Sequence, residues 1–176
     1  HVIDLARWYM GDIASVSAHL SNFVDRVDKD ERPVLPSNDS AMLTLAFASG
    51  AHAAIQISAV AHVGAQGQDQ AVALHGEKGT LKFQFDLGNP QYLVRGVHGE
   101  EEVLSSIDIP QPLLEGMNED APFGMFYEQS IGPRLFIDCI LDDKPVEPSL
   151  YDGYKAQQVI DAAFQSNRTG CKVIIP

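Results

Sequence analysis

Apolar and polar residues alternate through most of the middle of this chain and recur at helical spacing at its two ends. At the front, Val2, Ile3, Ala6 and Met10 fall at near-helical spacing and Gly11 follows, which predicts a helix, or the tail of one, over His1–Met10. Arg7 falls in its last turn, where the helix dipole favours a cation. From Ile13 to Val24 the period becomes that of a half-buried strand: Ala14, Val16, Ala18 and Leu20 share one face, and Ser15, Ser17 and His19 take the other. Asp25–Asn38 is charged, carries Pro33 and Pro36, and is read as a loop.

Three hairpins follow. Ser40–Ala48 and Ala51–Ala59 flank Ser49-Gly50, a tight turn whose glycine accepts positive φ. Leu43, Leu45 and Phe47 line one face of the first strand, and Ile55 and Ile57 supply the matching row on the second. The opposite rows, Met42, Thr44, Ala46 and then Gln56, Ser58, Val60, are small and mixed, a surface suited to another subunit. After a polar loop, His62–Asp69, the strands Gln70–His75 and Thr80–Phe85 flank Gly76-Glu-Lys-Gly79, and Tyr92–Val97 and Glu101–Ile107 flank His98-Gly99. Connections this short join only antiparallel strands.

Ile109–Pro122 is rich in proline and acid and reads as irregular. Ile131, Leu135, Phe136, Cys139 and Ile140 then repeat at helical spacing, with Pro133 a natural first helical residue and Asp142-Asp143-Lys144-Pro145 a stop. Ala156, Val159, Ile160, Ala163 and Phe164 form the stripe of a last helix, which Gly170 ends before a short closing strand, Lys172–Ile175. The expected architecture is α+β: an open, predominantly antiparallel β-sheet with helices packed on one face, in one domain spanning residues 1–176.

Composition narrows the partners. With a net charge of -12 the surface repels phosphate backbones, which argues against nucleic acid. No apolar run is long enough to span a bilayer, which argues against a membrane partner. Cys139 and Cys171 give neither a disulfide framework nor a metal spacing; Cys139 on its apolar stripe reads as a buried free thiol, as in a reducing cytoplasm. His52, His75 and His98 lie in separate strands and turns, so no metal site is expected. Gly64-Ala-Gln-Gly67 lacks the spacing of a phosphate-cradling turn, so no cofactor-binding residue is assigned to this chain. The chain opens on His and is read as a piece of a longer polypeptide whose front is missing.

Three signatures stand in register with these strands: His1-Val-Ile-Asp4-Leu-Ala-Arg-Trp8-Tyr-Met-Gly11, His75-Gly76-Glu77-Lys78-Gly79-Thr80, and Pro148-Ser-Leu-Tyr-Asp152-Gly153 followed by Val159-Ile-Asp161-Ala162-Ala163 and Ser166. Together they resemble the C-terminal domain of the glucose–fructose oxidoreductase / inositol dehydrogenase (Gfo/Idh/MocA) family, whose fold is dihydrodipicolinate-reductase-like. The resemblance covers essentially the whole chain. It implies an N-terminal Rossmann domain, absent here, that binds NAD or NADP, and a parent enzyme that oxidises or reduces a sugar, cyclitol or related polyol by hydride transfer. It also implies a homo-oligomer, dimer or tetramer, through the open sheet face. A fragment lacking the nucleotide-holding half is expected to bind no dinucleotide and to be inactive. The alternative is a non-catalytic dimerisation or small-ligand module derived from the same fold.

Family members surround the substrate with a lysine from the front half and a D-x-x-x-H pair at the start of the back half. His1 matches that histidine; the matching aspartate falls before the first residue. The resemblance makes His1 the acid/base group or a substrate-hydroxyl ligand, since alcohol oxidation releases a proton and imidazole accepts one near neutral pH. Read without it, a terminal histidine is plain surface. Asp4 reads as a structural acid in the first turn, and Trp8 as core packing or an interface anchor. In the family the loop before the G-E-x-G hairpin reaches the substrate pocket. Here that loop offers His62, Gln66 and Gln68, uncharged groups suited to a polyhydroxylated ligand, though each also reads as solvated loop. Arg134 is a candidate clamp for a substrate carboxylate or phosphate, or an ordinary surface arginine.

Overall fold

The computed structural model describes residues 1–35, 37–64, 67–86, 93–113 and 131–176. They fall into two compact units, His1–Ala61 with Glu147–Pro176, and His62–Val146.

The first unit holds helix α1 (Val2–Met10), strands β1 (Ile13–Ser21), β2 (Ser40–Phe47) and β3 (His52–Ser58), a long helix at Leu150–Thr169 and a closing strand at Val173–Ile174. The second holds β4 (Asp69–Gly76), β5 (Gly79–Asp86), β6 (Leu93–His98), β7 (Ser105–Ser106) and helix α2 (Ile131–Leu141). The long helix is therefore α3 and the closing strand β8. Among the described residues all strand pairs are antiparallel, in two four-stranded sheets of order β3-β2-β1-β8 and β4-β5-β6-β7. The α+β class is as expected. The single sheet is not, because alternation tells which residues face inward but not which strands share a ladder.

In the first unit Leu43, Leu45 and Phe47 are buried with Val16, and Ile55 sits opposite Leu43, as the alternation requires. One position differs. β1 pairs Ile13 with Phe47 but Ser15 with Ala46, so two steps on β1 match one on β2. This bulge brings Ile13, not Ala14, onto the core face with Val16. Ile3, Ala6 and Met10 of α1 pack on the same core. At the β2–β3 turn the Gly50 N–H reaches the Phe47 carbonyl at 3.0 Å, and Gly50 takes φ 90, the positive angle the turn needs. The loop after β1 is tied back by buried Asp39, whose carboxylate accepts the Phe23 N–H at 3.0 Å and the Val24 N–H at 3.1 Å.

α3 is fitted to β1 by more than its apolar stripe. β8 covers β1 only at Ser15 and Val16. Beyond it, the Ser166 hydroxyl accepts the Ala18 N–H at 3.0 Å and the Asn167 side-chain oxygen accepts the Leu20 N–H at 2.8 Å. The edge of β1 would otherwise present unpaired backbone donors, and these two side chains extend the ladder where β8 stops. The requirement turns the helix: its buried residues are Val159, Ala162, Ala163 and Ser166, one face at i, i+3, i+4, i+7. Phe164, expected on the stripe, is exposed as a result.

In the second unit β4 and β5 meet through the two-residue turn Glu77-Lys78, with Gly76 paired to Gly79. A Cβ on Gly79 would collide with the Val97 carbonyl of β6, so glycine is required there by close approach of the backbone. The third hairpin returns later than its sequence suggests. The Glu101 carboxylate accepts the His98 N–H at 2.8 Å, which holds Glu101 out of the ladder and leaves only Ser105–Ser106 as strand. Tyr92 lies outside the described residues. α2 begins at Ile131, before Pro133, and ends with Asp143 at φ 52 and the Lys144 N–H on the Cys139 carbonyl. That is a Schellman closure with aspartate where glycine is usual. Leu135, Phe136, Ile137 and Ile140 are exposed, and Cys139 is half-buried where a buried thiol was expected. Alternation and spacing define an apolar stripe; they do not supply the surface that covers it.

Candidate functional site

Within the first unit a cleft of about 710 Å³ opens between α1 and the start of α3, lined by His1, Asp4, Arg7, Trp8, Asp12, Glu147 and Asp152 among others. Its organising residue is Arg7, whose side chain is only 10% exposed. One guanidinium nitrogen lies 2.9 Å from Asp12, and another lies 3.6 Å from Asp4 and 3.6 Å from Asp152. The latter also donates to the Asp152 backbone carbonyl at 3.3 Å. Arginine suits this position because its planar fork serves several acceptors at once, which a point-charge ammonium does not. The Nε atom is buried and has no hydrogen-bond partner among the described residues.

Asp152 belongs to two arrangements. As the third residue of α3 it closes a capping box, accepting the Ser149 N–H and the Ser149 hydroxyl, each at 2.8 Å. Those hydrogen bonds, the backbone one foremost, hold its carboxyl below the ordinary aspartate pKa, and the Arg7 guanidinium adds to the effect. Arg7 thereby links α1, the first residue before β1 and the N-terminus of α3.

His1 is exposed and caps α1 through its backbone, the Leu5 N–H meeting the His1 carbonyl at 2.9 Å. Its imidazole makes no capping hydrogen bond, and His1 is among the residues that line the cleft. Asp4 stands in the first turn and pairs with Arg7, the structural placement expected of it. Trp8 is not core: it is 78% exposed, with its ring 5.2 Å from that of Tyr9. Three carboxylates surround one guanidinium, so the cleft favours hydroxyl donors over anions.

The other expected site residues belong to the second unit. His62 and Gln68 are exposed on the segment leading into β4, Gln66 lies outside the described residues, and Arg134 is exposed on α2. Sequence reasoning treated Arg7 only as a last-turn cation and did not single out Asp12 or Glu147. The signal that was available is the Ser149-x-x-Asp152 capping spacing, which fixes one of the arginine's partners. Among the described residues no group of three or more His, Cys, Asp or Glu could hold a metal, and no helix is long and apolar enough to cross a membrane.

Residues 1–175 match a family described as "Oxidoreductase family, C-terminal alpha/beta domain". A levoglucosan dehydrogenase of Pseudarthrobacter phenanthrenivorans is 24% identical, over 100% of this chain and 50% of its own length. A solved structure of levoglucosan dehydrogenase with NADH and levoglucosan superimposes with TM-score 0.80 at 22% identity, over 100% of this chain and 48% of that one. An oxidoreductase domain protein from Kribbella flavida gives TM-score 0.76 at 24% identity, over 100% and 49%. At these identities the structures establish the fold. The chain spans about half the length of the relatives it matches.

Proposed function

Because the chain belongs to the Gfo/Idh/MocA oxidoreductase family as its C-terminal alpha/beta domain, we propose that it is the substrate-binding and oligomerising half of an NAD(P)-dependent dehydrogenase of a sugar, cyclitol or related polyol. The observation that carries the reading is the family match across residues 1–175, at half the length of the relatives. Residues 1–176 act as one functional domain in this reading. The cleft supports it. His1 presents its imidazole beside carboxylates that accept hydrogen bonds from hydroxyls, and it takes the proton that the alcohol loses. His62, Gln66, Gln68 and Arg134 are assigned to substrate contacts on the same reading.

The nicotinamide cofactor supplies the hydride acceptor. The helices of the first unit do not fit it: α1 and α3 carry Asp4 and Asp152 in their first turns, where a carboxylate opposes a pyrophosphate at the helix N-terminus. The cofactor is held outside these residues, and calorimetry of this chain with NAD and with NADP is expected to show no binding. Micromolar affinity for either would reject the assignment. Substituting His1→Ala in the intact enzyme is expected to cut turnover by a factor on the order of 10²–10⁴ with cofactor affinity retained; unchanged turnover rejects the role.

The open face of the first sheet supports association. Thr44, Gln56 and Ser58 stand exposed with Met42 and His19, while the helices of the first unit pack on the opposite face. A dimer or tetramer through this face is expected in light scattering. A monomer at high concentration would leave the non-catalytic ligand-binding module as the better reading. The soluble compartment assigned is the cytoplasm.

A further inference from the structure

The second unit carries a pair of cations that no described carboxylate neutralises. β5 and β6 place Lys82 directly opposite Arg95, and the same cross-strand row continues to Ala73 on β4 and Ser106 on β7. Directly opposed residues have Cβ atoms only about 4.5–5.5 Å apart, and like charges at that spacing destabilise a sheet. The chain has twice as many acidic as basic residues, 24 against 12, so acids are available to answer such a pair. Yet neither Lys82 nor Arg95 forms an ion pair with a described carboxylate. The nearest acid on that face of β4, Asp69, lies four residues from Ala73, roughly 13 Å along the strand.

The surroundings are shaped to admit something small. Lys82 and Arg95 border a concave surface of about 430 Å³ whose lining includes Ala71, Ala73, Gln84 and Leu93. Ala71 and Ala73 keep the floor low beside the two long side chains. Gln84, opposite Ala71 and on the same face, adds a neutral donor. Both cationic side chains are exposed, so each head group is free to turn toward a ligand over that floor.

We propose that this face of the hairpin sheet binds a small oxyanion bearing two negative charges, a dicarboxylate or a phosphate monoester, between Lys82 and Arg95. Arginine supplies a bidentate fork to two oxygens and lysine a movable point charge to a third. A dianion offsets the like-charge repulsion between Lys82 and Arg95, and a monoanion offsets only part of it. The site is independent of the alcohol chemistry assigned to His1, and it gives the second unit a recognition role of its own.

The test is calorimetric titration of the full chain with inorganic phosphate and, separately, malonate, with acetate and chloride as monoanion controls at constant ionic strength. Saturable binding of one dianion per chain is expected, about tenfold or more tighter than acetate, corresponding to about 1.4 kcal/mol. Preference between phosphate and malonate identifies the head group. Lys82→Gln and Arg95→Gln are each expected to weaken dianion binding about tenfold, and Arg95→Lys to lose less, because it keeps the charge without the fork. The dianion-over-acetate selectivity of the unmodified chain tests the proposal even if a variant misfolds. Absence of saturable dianion binding overturns it, as does undiminished affinity in a well-folded Arg95→Gln. So does a change of molecular mass in Arg95→Gln when the unmodified chain binds no dianion, which would assign the cations to a protein interface.

Discussion

The two units reach similar antiparallel sheets by different means. In the first, the sheet is closed by elements distant in sequence: α3 packs on β1, β8 pairs with it, and Ser166 and Asn167 answer its remaining donors. In the second, β4, β5, β6 and β7 follow one another as hairpin neighbours. Among the described residues, Phe85 is the one buried hydrophobic of the second unit, while Val16, Leu45 and Val159 are among those of the first. Among the described residues the first sheet rests on a side-chain core, and in the second the closest approach is of backbone to backbone at Gly79. The first should be broken by making residues smaller, and the second by making them larger.

That contrast is tested most severely by Leu45→Ala. Leu45 is 2% exposed at the centre of the core, so the substitution is expected to lower unfolding free energy by about 2–5 kcal/mol in urea denaturation. The same truncation at exposed Leu81 on β5 should stay within about 0.5–1 kcal/mol. Equal losses would erase the distinction. Gly79→Ala is the converse, a single added methyl forced against the Val97 carbonyl, with an expected loss of about 1–3 kcal/mol. If Gly79→Ala proves neutral, backbone proximity does not hold the second sheet. Ser166→Ala comes next: it leaves the Ala18 N–H without its acceptor, and a loss of about 1–2 kcal/mol is expected, with faster hydrogen exchange at Ala18 as the local readout.

The same difference explains what could be read in the chain before its structure. Hairpins announce themselves locally: Gly76-Glu-Lys-Gly79 and Ser49-Gly50 mark turns, and alternation between them assigns the faces. The family signatures, at both ends and at the β4–β5 turn, pointed to the fold. What stayed hidden depends on partners far away in sequence. No periodicity reveals that Ser166 serves a strand 148 residues earlier and so rotates α3 away from Phe164. Nor does it show that β1 bulges at Ala14, or that one arginine gathers Asp4, Asp12 and Asp152. The exposure of Trp8 was equally illegible, because apolar character names a residue that prefers burial without naming its cover.

The mildest expected effect concerns the hinge of the ionic cluster. Asp152 has a folded-state pKa below its ordinary value, owing first to the Ser149 backbone and hydroxyl donors and then to Arg7. Folding therefore gains from the carboxylate. That gain is fully present above the ordinary aspartate value of about 4 and disappears as pH falls through the lower folded value. Unfolding transitions followed from neutral pH downward should show a stability that declines through this acid window. In Asp152→Asn the part of the decline due to this residue should vanish, so the two curves converge at low pH and separate above it. Because Asp152 is accessible to solvent, the separation should be small and should shrink further with added salt. Curves that run parallel at every pH would mean that the capping contacts stabilise α3 through shape alone. The charge linking α1 to α3 would then have no part in holding the first unit together.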